Sequence, residues 1–88
     1  MTNTSRVRID TVVLLLESVA RNVLDATTAL EQWPDIDSEV DDLVASAWHD
    51  VSHYATDKDI RIKDPSYAAY QAKSLLDRAQ KIRDKYGR

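Results

Sequence analysis

Residues 9–33, IDTVVLLLESVARNVLDATTALEQW, decide the fold class of this 88-residue chain. Apolar residues recur along this stretch at alternating intervals of three and four, as they do on one face of an α-helix. The polar residues between them, such as Glu17 and Asp25, fit the helical period and exclude a buried strand. The stretch therefore predicts one long amphipathic helix, whose apolar face is formed by Ile9, Val12, Leu16, Val19, Val23, Ala26, Leu30 and Trp33.

Proline and glycine positions set the boundaries of the helices. Helix one is predicted over about residues 5–32, because Pro34 restricts the residue before it and cannot continue the hydrogen-bond ladder. The pair Asp64-Pro65 predicts the start of helix three, with aspartate as the cap and proline at the first helical position. We expect this helix to continue to about residue 86, with Gly87 as its C-cap.

An apolar pattern between these two helices predicts helix two over about residues 37–57. Its start is crowded with carboxylates that complement the helix dipole, and Asp37 or Ser38 can cap its free amide groups. Since no segment reads as a strand, the sequence predicts an all-α fold in one domain, residues 1–88, arranged as an antiparallel three-helix bundle that can dimerise. The residues expected in its core are Leu16, Val23, Leu30, Val44, Val51, Leu75 and Ile82.

The net charge of −3 is distributed unevenly along the chain. Residues 31–59 hold nine acidic residues and one basic residue, whereas residues 60–88 hold eight basic and three acidic residues. In an antiparallel hairpin the acidic start of helix two lies beside the basic end of helix three, so we expect these charges to pair with each other. The two groups are Asp35, Asp37, Glu39, Asp41 and Asp42 on helix two, and Arg78, Lys81, Arg83, Lys85 and Arg88 on helix three.

Helix one carries more apolar surface than two other helices can cover. Leu14 and Leu24 fall outside its main apolar face, and neighbouring residues widen that face on both sides. On helix three, Tyr70 points away from the apolar face. We therefore expect these three residues to contact a second copy of the chain or another protein, with a homodimer as the expected assembly.

One short motif, His49-Asp50-Val51-Ser52-His53, resembles the H-E-x-x-H motif of zincin metalloproteases. In that family two histidines one turn apart bind zinc and the acidic residue acts as general base, so the resemblance implies a metal-dependent hydrolase as an alternative function. Helical spacing, however, places both histidines on the side opposite the apolar face of helix two. We expect a solvated face with no bound metal, on which His49 and His53 contact a partner or respond to pH.

Residues 57–64, DKDIRIKD, form a charge-dense connection between helices two and three. The alternation of isoleucines with charged residues predicts an extended segment, in which Ile60 and Ile62 cover the end of the bundle while Arg61 and Lys63 face solvent. A loop that displays both signs of charge, including Asp57 and Asp59, is suited to recognition of a protein surface. We therefore count Asp57, Asp59, Arg61 and Lys63 as candidate partner-binding residues.

Length and composition restrict the function further. A core of this size leaves little room for an enclosed pocket, and the chain has no cysteine and only one glycine, which lies near its end. The sequence therefore provides no thiol nucleophile and no glycine-rich phosphate-binding loop. The longest apolar run, residues 12–16, is far shorter than a membrane span, and the first residues lack a signal-peptide pattern, so we expect a cytoplasmic protein.

These observations favour a small non-enzymatic protein–protein interaction module of an accessory, regulatory or inhibitory kind, without a cofactor. The principal alternative is a nucleic-acid-binding protein that uses the basic outer side of helix three together with Tyr70. The metal-dependent hydrolase centred on His49 and His53 is the third hypothesis.

Overall fold

The computed structural model describes residues 2–34, 36–38 and 41–86 of the chain. It contains five α-helices in these ranges, α1 (Thr2–Ala20), α2 (Ala26–Gln32), α3 (Asp42–Thr56), α4 (Lys58–Lys63) and α5 (Pro65–Tyr86), and a short 3-10 helix (Ile36–Ser38). None of the described residues forms a strand, which confirms the all-α fold class. The number of helices, however, is larger than the three that the sequence predicts.

The predicted long first helix is wrong, because the chain turns sharply after Ala20. Asn22 has a positive φ of 65°, the left-handed conformation that ends many helices and that asparagine tolerates better than most residues. The Val23 amide donates to the Ser18 carbonyl at 2.8 Å and the Asn22 amide to the Val19 carbonyl at 3.1 Å. This pair of hydrogen bonds is a Schellman motif, which terminates α1 and satisfies the carbonyl groups of Ser18 and Val19.

A second helix starts directly after this turn because Asp25 caps it. The Asp25 carboxylate accepts a hydrogen bond from the Thr27 amide at 3.1 Å, in the extended backbone conformation typical of an N-cap. The interruption removes Val23 from the predicted core and leaves it 77% exposed. Leu30, also predicted in the core, is only partly buried against it.

The starts of α3 and α5 are each capped by an aspartate side chain. Asp41, rather than the predicted Asp37 or Ser38, caps α3, and its Oδ1 accepts hydrogen bonds from the amides of Leu43 at 2.8 Å and Val44 at 3.1 Å. Asp64 caps α5 as predicted, with its Oδ1 accepting from the amides at positions 66 and 67. The helix therefore begins with Pro65 in its first position, where the missing amide proton costs nothing.

The core lies where α1, α2, α3 and α5 meet. α5 packs along α1 and also contacts α3 and α4, while α2 contacts α1 and α3. Five of the seven predicted core residues are confirmed as almost completely buried: Leu16, Val44, Val51, Leu75 and Ile82. α4 contributes no buried residue, so it lies at the edge of the body that the other helices form.

Several predicted features fall outside the described residues. These are the Gly87 cap and the charged residues Asp35, Glu39 and Arg88, which the sequence assigned to the paired ends of helices two and three.

Candidate functional site

The segment between α3 and α5 differs most from its prediction. Residues 58–63 form the helix α4 rather than an extended loop, and its isoleucines do not cover the end of the body: Ile60 is 50% and Ile62 71% exposed. Arg61, predicted to face solvent, instead packs against the body. The orientations of the two isoleucines and of Arg61 are therefore the reverse of those predicted, whereas Lys63 is exposed as predicted. Arg61 is the side chain that holds this helix in place.

Arg61 is held by hydrogen bonds and by an aromatic ring. Its guanidinium lies 3.5 Å from the centroid of the Tyr54 ring, a cation–π contact. Nη1 donates to the backbone carbonyl of Tyr54 and, at 3.1 Å, to the side-chain carbonyl of Gln71. Because Tyr54 is in the last turn of α3, its carbonyl group accepts no hydrogen bond from an amide of that helix. An arginine can satisfy this group, whereas an isoleucine cannot, which explains the observed orientation.

Asp57 connects the junction of α3 and α4 to α5. The Tyr67 hydroxyl donates to Asp57 Oδ2 at 2.8 Å, and the Gln71 side-chain amide donates to the same oxygen at 3.1 Å. The hydrogen bond to Asp57, followed by burial and the charge of Asp57, raises the pKa of Tyr67. Gln71 thus binds Arg61 with its oxygen and Asp57 with its nitrogen, so one side chain links the three helices.

Replacing Arg61 with alanine is expected to loosen α4 without unfolding the other helices. The lost hydrogen bonds and cation–π contact correspond to about 2 kcal/mol of local stability, or roughly thirtyfold faster amide exchange in α4. Hydrogen exchange followed by NMR measures this directly. Lys63→Ala, in the same helix but exposed, is the matched control and should leave exchange nearly unchanged. Equal exchange rates in the two variants would contradict the anchoring role of Arg61.

A shallow cleft lies between α3 and α5, next to this network. It has a volume of about 160 Å³ and is lined by Asp50, His53, Tyr54, Tyr70, Gln71, Ser74 and Leu75. Tyr70 is 66% exposed, and its ring stacks on that of Tyr67 with 6.4 Å between centroids. The cleft thus brings together two of the predicted binding residues, His53 and Tyr70.

The two histidines of the H-D-x-x-H motif are both exposed on α3, in agreement with the predicted direction. The acidic residue between them, Asp50, accepts a hydrogen bond from Arg78 Nε at 2.9 Å, so it is engaged in an ion pair with α5. His49 contacts the ring of Trp48 edge-on at 5.2 Å. Within the described residues, no group of three histidine, aspartate or glutamate side chains is placed to hold a metal ion.

The remaining candidates, Leu14 and Leu24, lie apart from this site. Leu14 is 62% exposed on α1, whereas Leu24 packs partly buried against the core. The turn after α1 folds α2 back over the body and buries Ala26 and Ala29. Most of the surplus apolar surface of predicted helix one is therefore covered by the chain itself, which weakens the reason for expecting dimerisation through that helix.

The basic residues of α5 are largely paired with carboxylates. Lys85 binds Asp41 at 2.6 Å, which confirms one contact of the predicted charge pairing between the start of helix two and the end of helix three. Four of the five basic residues of α5 form ion pairs; the four pairs are Lys73 with Asp77, Arg78 with Asp50, Arg83 with Glu17, and Lys85 with Asp41. Their charge is thus mostly neutralised within the protein, which argues against a polyanion-binding face.

No protein-family model, no curated protein and no solved structure matches this chain. In the part of the chain that the structure describes, no helix combines the length and the apolar character needed to cross a bilayer.

Three residues that hold the site together, Tyr54, Tyr67 and Gln71, are absent from the predicted partner-binding residues. A signal for them exists, because Tyr54, Asp57 and Arg61 have helical spacing that continues across the junction of α3 and α4. Tyr67 and Gln71 are likewise one turn apart on α5.

Proposed function

We propose that this protein is a small non-enzymatic interaction module that binds another polypeptide through α4. We name the side chains of Asp59, Ile60, Ile62 and Lys63 the α4 surface. The observation that carries the proposal is that α4 buries none of its residues, yet it is fixed to the body from behind by Arg61. The network thus serves to hold two exposed isoleucines in a defined position.

Physical reasoning supports binding as the purpose of this arrangement. The exposed parts of Ile60 and Ile62 contribute nothing to folding, but covering the remaining exposed surface of each would stabilise a complex by about 1–2 kcal/mol. A surface that is already ordered also loses less conformational entropy on association than a flexible loop does. In this proposal α1, α3 and α5 form an antiparallel three-helix bundle that carries the α4 surface, and no cofactor takes part.

The other two hypotheses have weaker support. Nucleic-acid binding through α5 requires free cationic groups, and four of its five basic residues are already paired. A metal-dependent hydrolase requires Asp50 as a general base, and this carboxylate is paired with Arg78.

The test is a photocrosslink from the α4 surface. A photoreactive phenylalanine analogue at Ile62 of the purified chain is expected to capture a partner in an extract of native host cells, and excess purified wild-type chain should compete for this partner. Chain carrying Ile60→Glu should not compete, because a buried carboxylate opposes docking. The matched control places the same analogue at Val23, which is 77% exposed on the α1–α2 turn. Equal capture at both positions, or none at Ile62, would contradict the proposal.

A further inference from the structure

The outward side of α4 has a pattern that is complementary to itself. With about 100° per residue, Asp59 and Lys63 project within about 20° of the direction opposite Arg61, while Ile60 and Ile62 project about 80° to either side. Arg61 contacts Tyr54 and Gln71, so its direction defines the inner side of the helix. The α4 surface is therefore a central acid–base pair flanked by two isoleucines.

From this pattern we infer that the α4 surface binds a second copy of itself, in an antiparallel arrangement about a twofold axis at the level of residue 61. Asp59 and Lys63 are equally far from residue 61 along the helix. A twofold axis there places Asp59 of one chain opposite Lys63 of the other, and the reverse contact follows by symmetry. The same operation brings Ile60 against its symmetry mate on one side and Ile62 against its own on the other.

The charges favour this partner and this direction. Asp59 and Lys63 are four residues apart on one helix, yet within the described residues neither forms an ion pair. Both are therefore available to an opposing chain. A parallel arrangement would place like charges opposite each other, which is unfavourable. Residues 57–64 carry three acidic and three basic residues, so two identical surfaces meet without net repulsion.

The inference rests on the proposed function and names the partner of the same surface. Because α4 has only six residues, its contact area lies at the small end of protein interfaces. We therefore expect a weak dimer, with a dissociation constant in the high micromolar range, rather than an obligate one.

Sedimentation equilibrium of the full chain, at concentrations from micromolar to millimolar, tests the inference through a charge exchange. Asp59→Lys places two lysines on the surface and Lys63→Asp places two aspartates there. Each variant alone is expected to dimerise about tenfold more weakly than the wild type, because two attractive contacts per dimer become repulsive. An equimolar mixture of the two variants should regain the wild-type affinity, since every contact between unlike chains is again attractive.

A second pair of variants separates the apolar contribution from the charges. Ile62→Ser should weaken dimerisation by about tenfold, whereas Val23→Ser, at a comparably exposed site, should leave it unchanged. Circular dichroism confirms that each variant keeps its helices. A wild-type chain that stays monomeric at millimolar concentration, or a mixture that associates no better than its components, would overturn the inference.

The two proposals fail separately. If Ile62 captures a different protein in the crosslinking test while the wild-type chain remains monomeric, the self-association is wrong and the interaction module stands. If neither a crosslink nor a dimer is observed, both are wrong.

Discussion

Replacing Leu16 with alanine is expected to lower the free energy of unfolding by about 2–5 kcal/mol. Leu16 is completely buried in the core, at 0% exposure, so its truncation leaves a cavity that the packed helices can fill only in part. A domain of this size has a total stability of about 5–10 kcal/mol, so the variant loses a large share of it. Urea denaturation followed by circular dichroism measures the difference.

The chain offers an unusually close control for this experiment. Leu14 has the same side chain on the same helix, two positions away, but is 62% exposed. Leu14→Ala should change the stability by less than about 0.5 kcal/mol. A similar loss in both variants would mean that the inner and outer faces of α1 are assigned incorrectly.

Replacing Asp41 with alanine is expected to cost about 1–3 kcal/mol, because this carboxylate has two structural roles. Its Oδ1 caps α3 and its Oδ2 binds Lys85 at 2.6 Å, while the side chain is only 9% exposed. Loss of an N-cap alone costs about 1 kcal/mol, and the ion pair with α5 adds to it. The matched control is Asp42→Ala, since Asp42 is an exposed aspartate in the first turn of the same helix. An equal loss in the two variants would contradict the capping role of Asp41.

The contribution of Asp41 should also depend on pH. Burial raises the pKa of this carboxyl, but the hydrogen bond from Lys85, the amides of Val44 and Leu43 and the charge of Lys85 together lower it below its ordinary value. The folded-state pKa therefore lies below the unfolded-state value, so the stabilisation is present above about pH 4 and is lost as the pH falls through the folded-state pKa. The difference in free energy of unfolding between the wild type and Asp41→Asn should therefore shrink as the pH falls from about 4 through the folded-state pKa.

Periodicity predicted most of the core but not the division of the first helix. The interval between apolar residues continues smoothly from Ile9 to Trp33, and this regularity hides the turn at Asn22. The residues that make the turn are visible in the sequence, since asparagine tolerates a positive φ and Asp25 is a good N-cap. Both residues are also compatible with the polar side of a continuous helix. Whether the chain forms one helix or two depends on tertiary packing, in which α2 folds back and buries Ala26 and Ala29.

The sequence pattern predicted the wrong conformation for the segment 57–64. Alternating isoleucines and charges suggested that the apolar residues of the 57–64 segment face inward, as they do in most proteins. The observed orientation, in which Arg61 faces the body, depends on residues outside this segment. Arg61 is stable there only when Tyr54 and Gln71 are positioned to bind its guanidinium. A contact between residues ten positions apart cannot be read from local pattern alone.

The extensive packing of α1 against α5 has a consequence for how the molecule assembles. Because α5 is made after α1, α2, α3 and α4, Glu17 and much of the apolar face of α1 find their partners only after these helices have been made. Contacts between α1 and α5 form slowly, because closing so long a loop costs conformational entropy. Until these contacts form, the valines and leucines of α1 are not fully buried. During synthesis the apolar face of α1 is therefore open to wrong contacts until α5 docks on it.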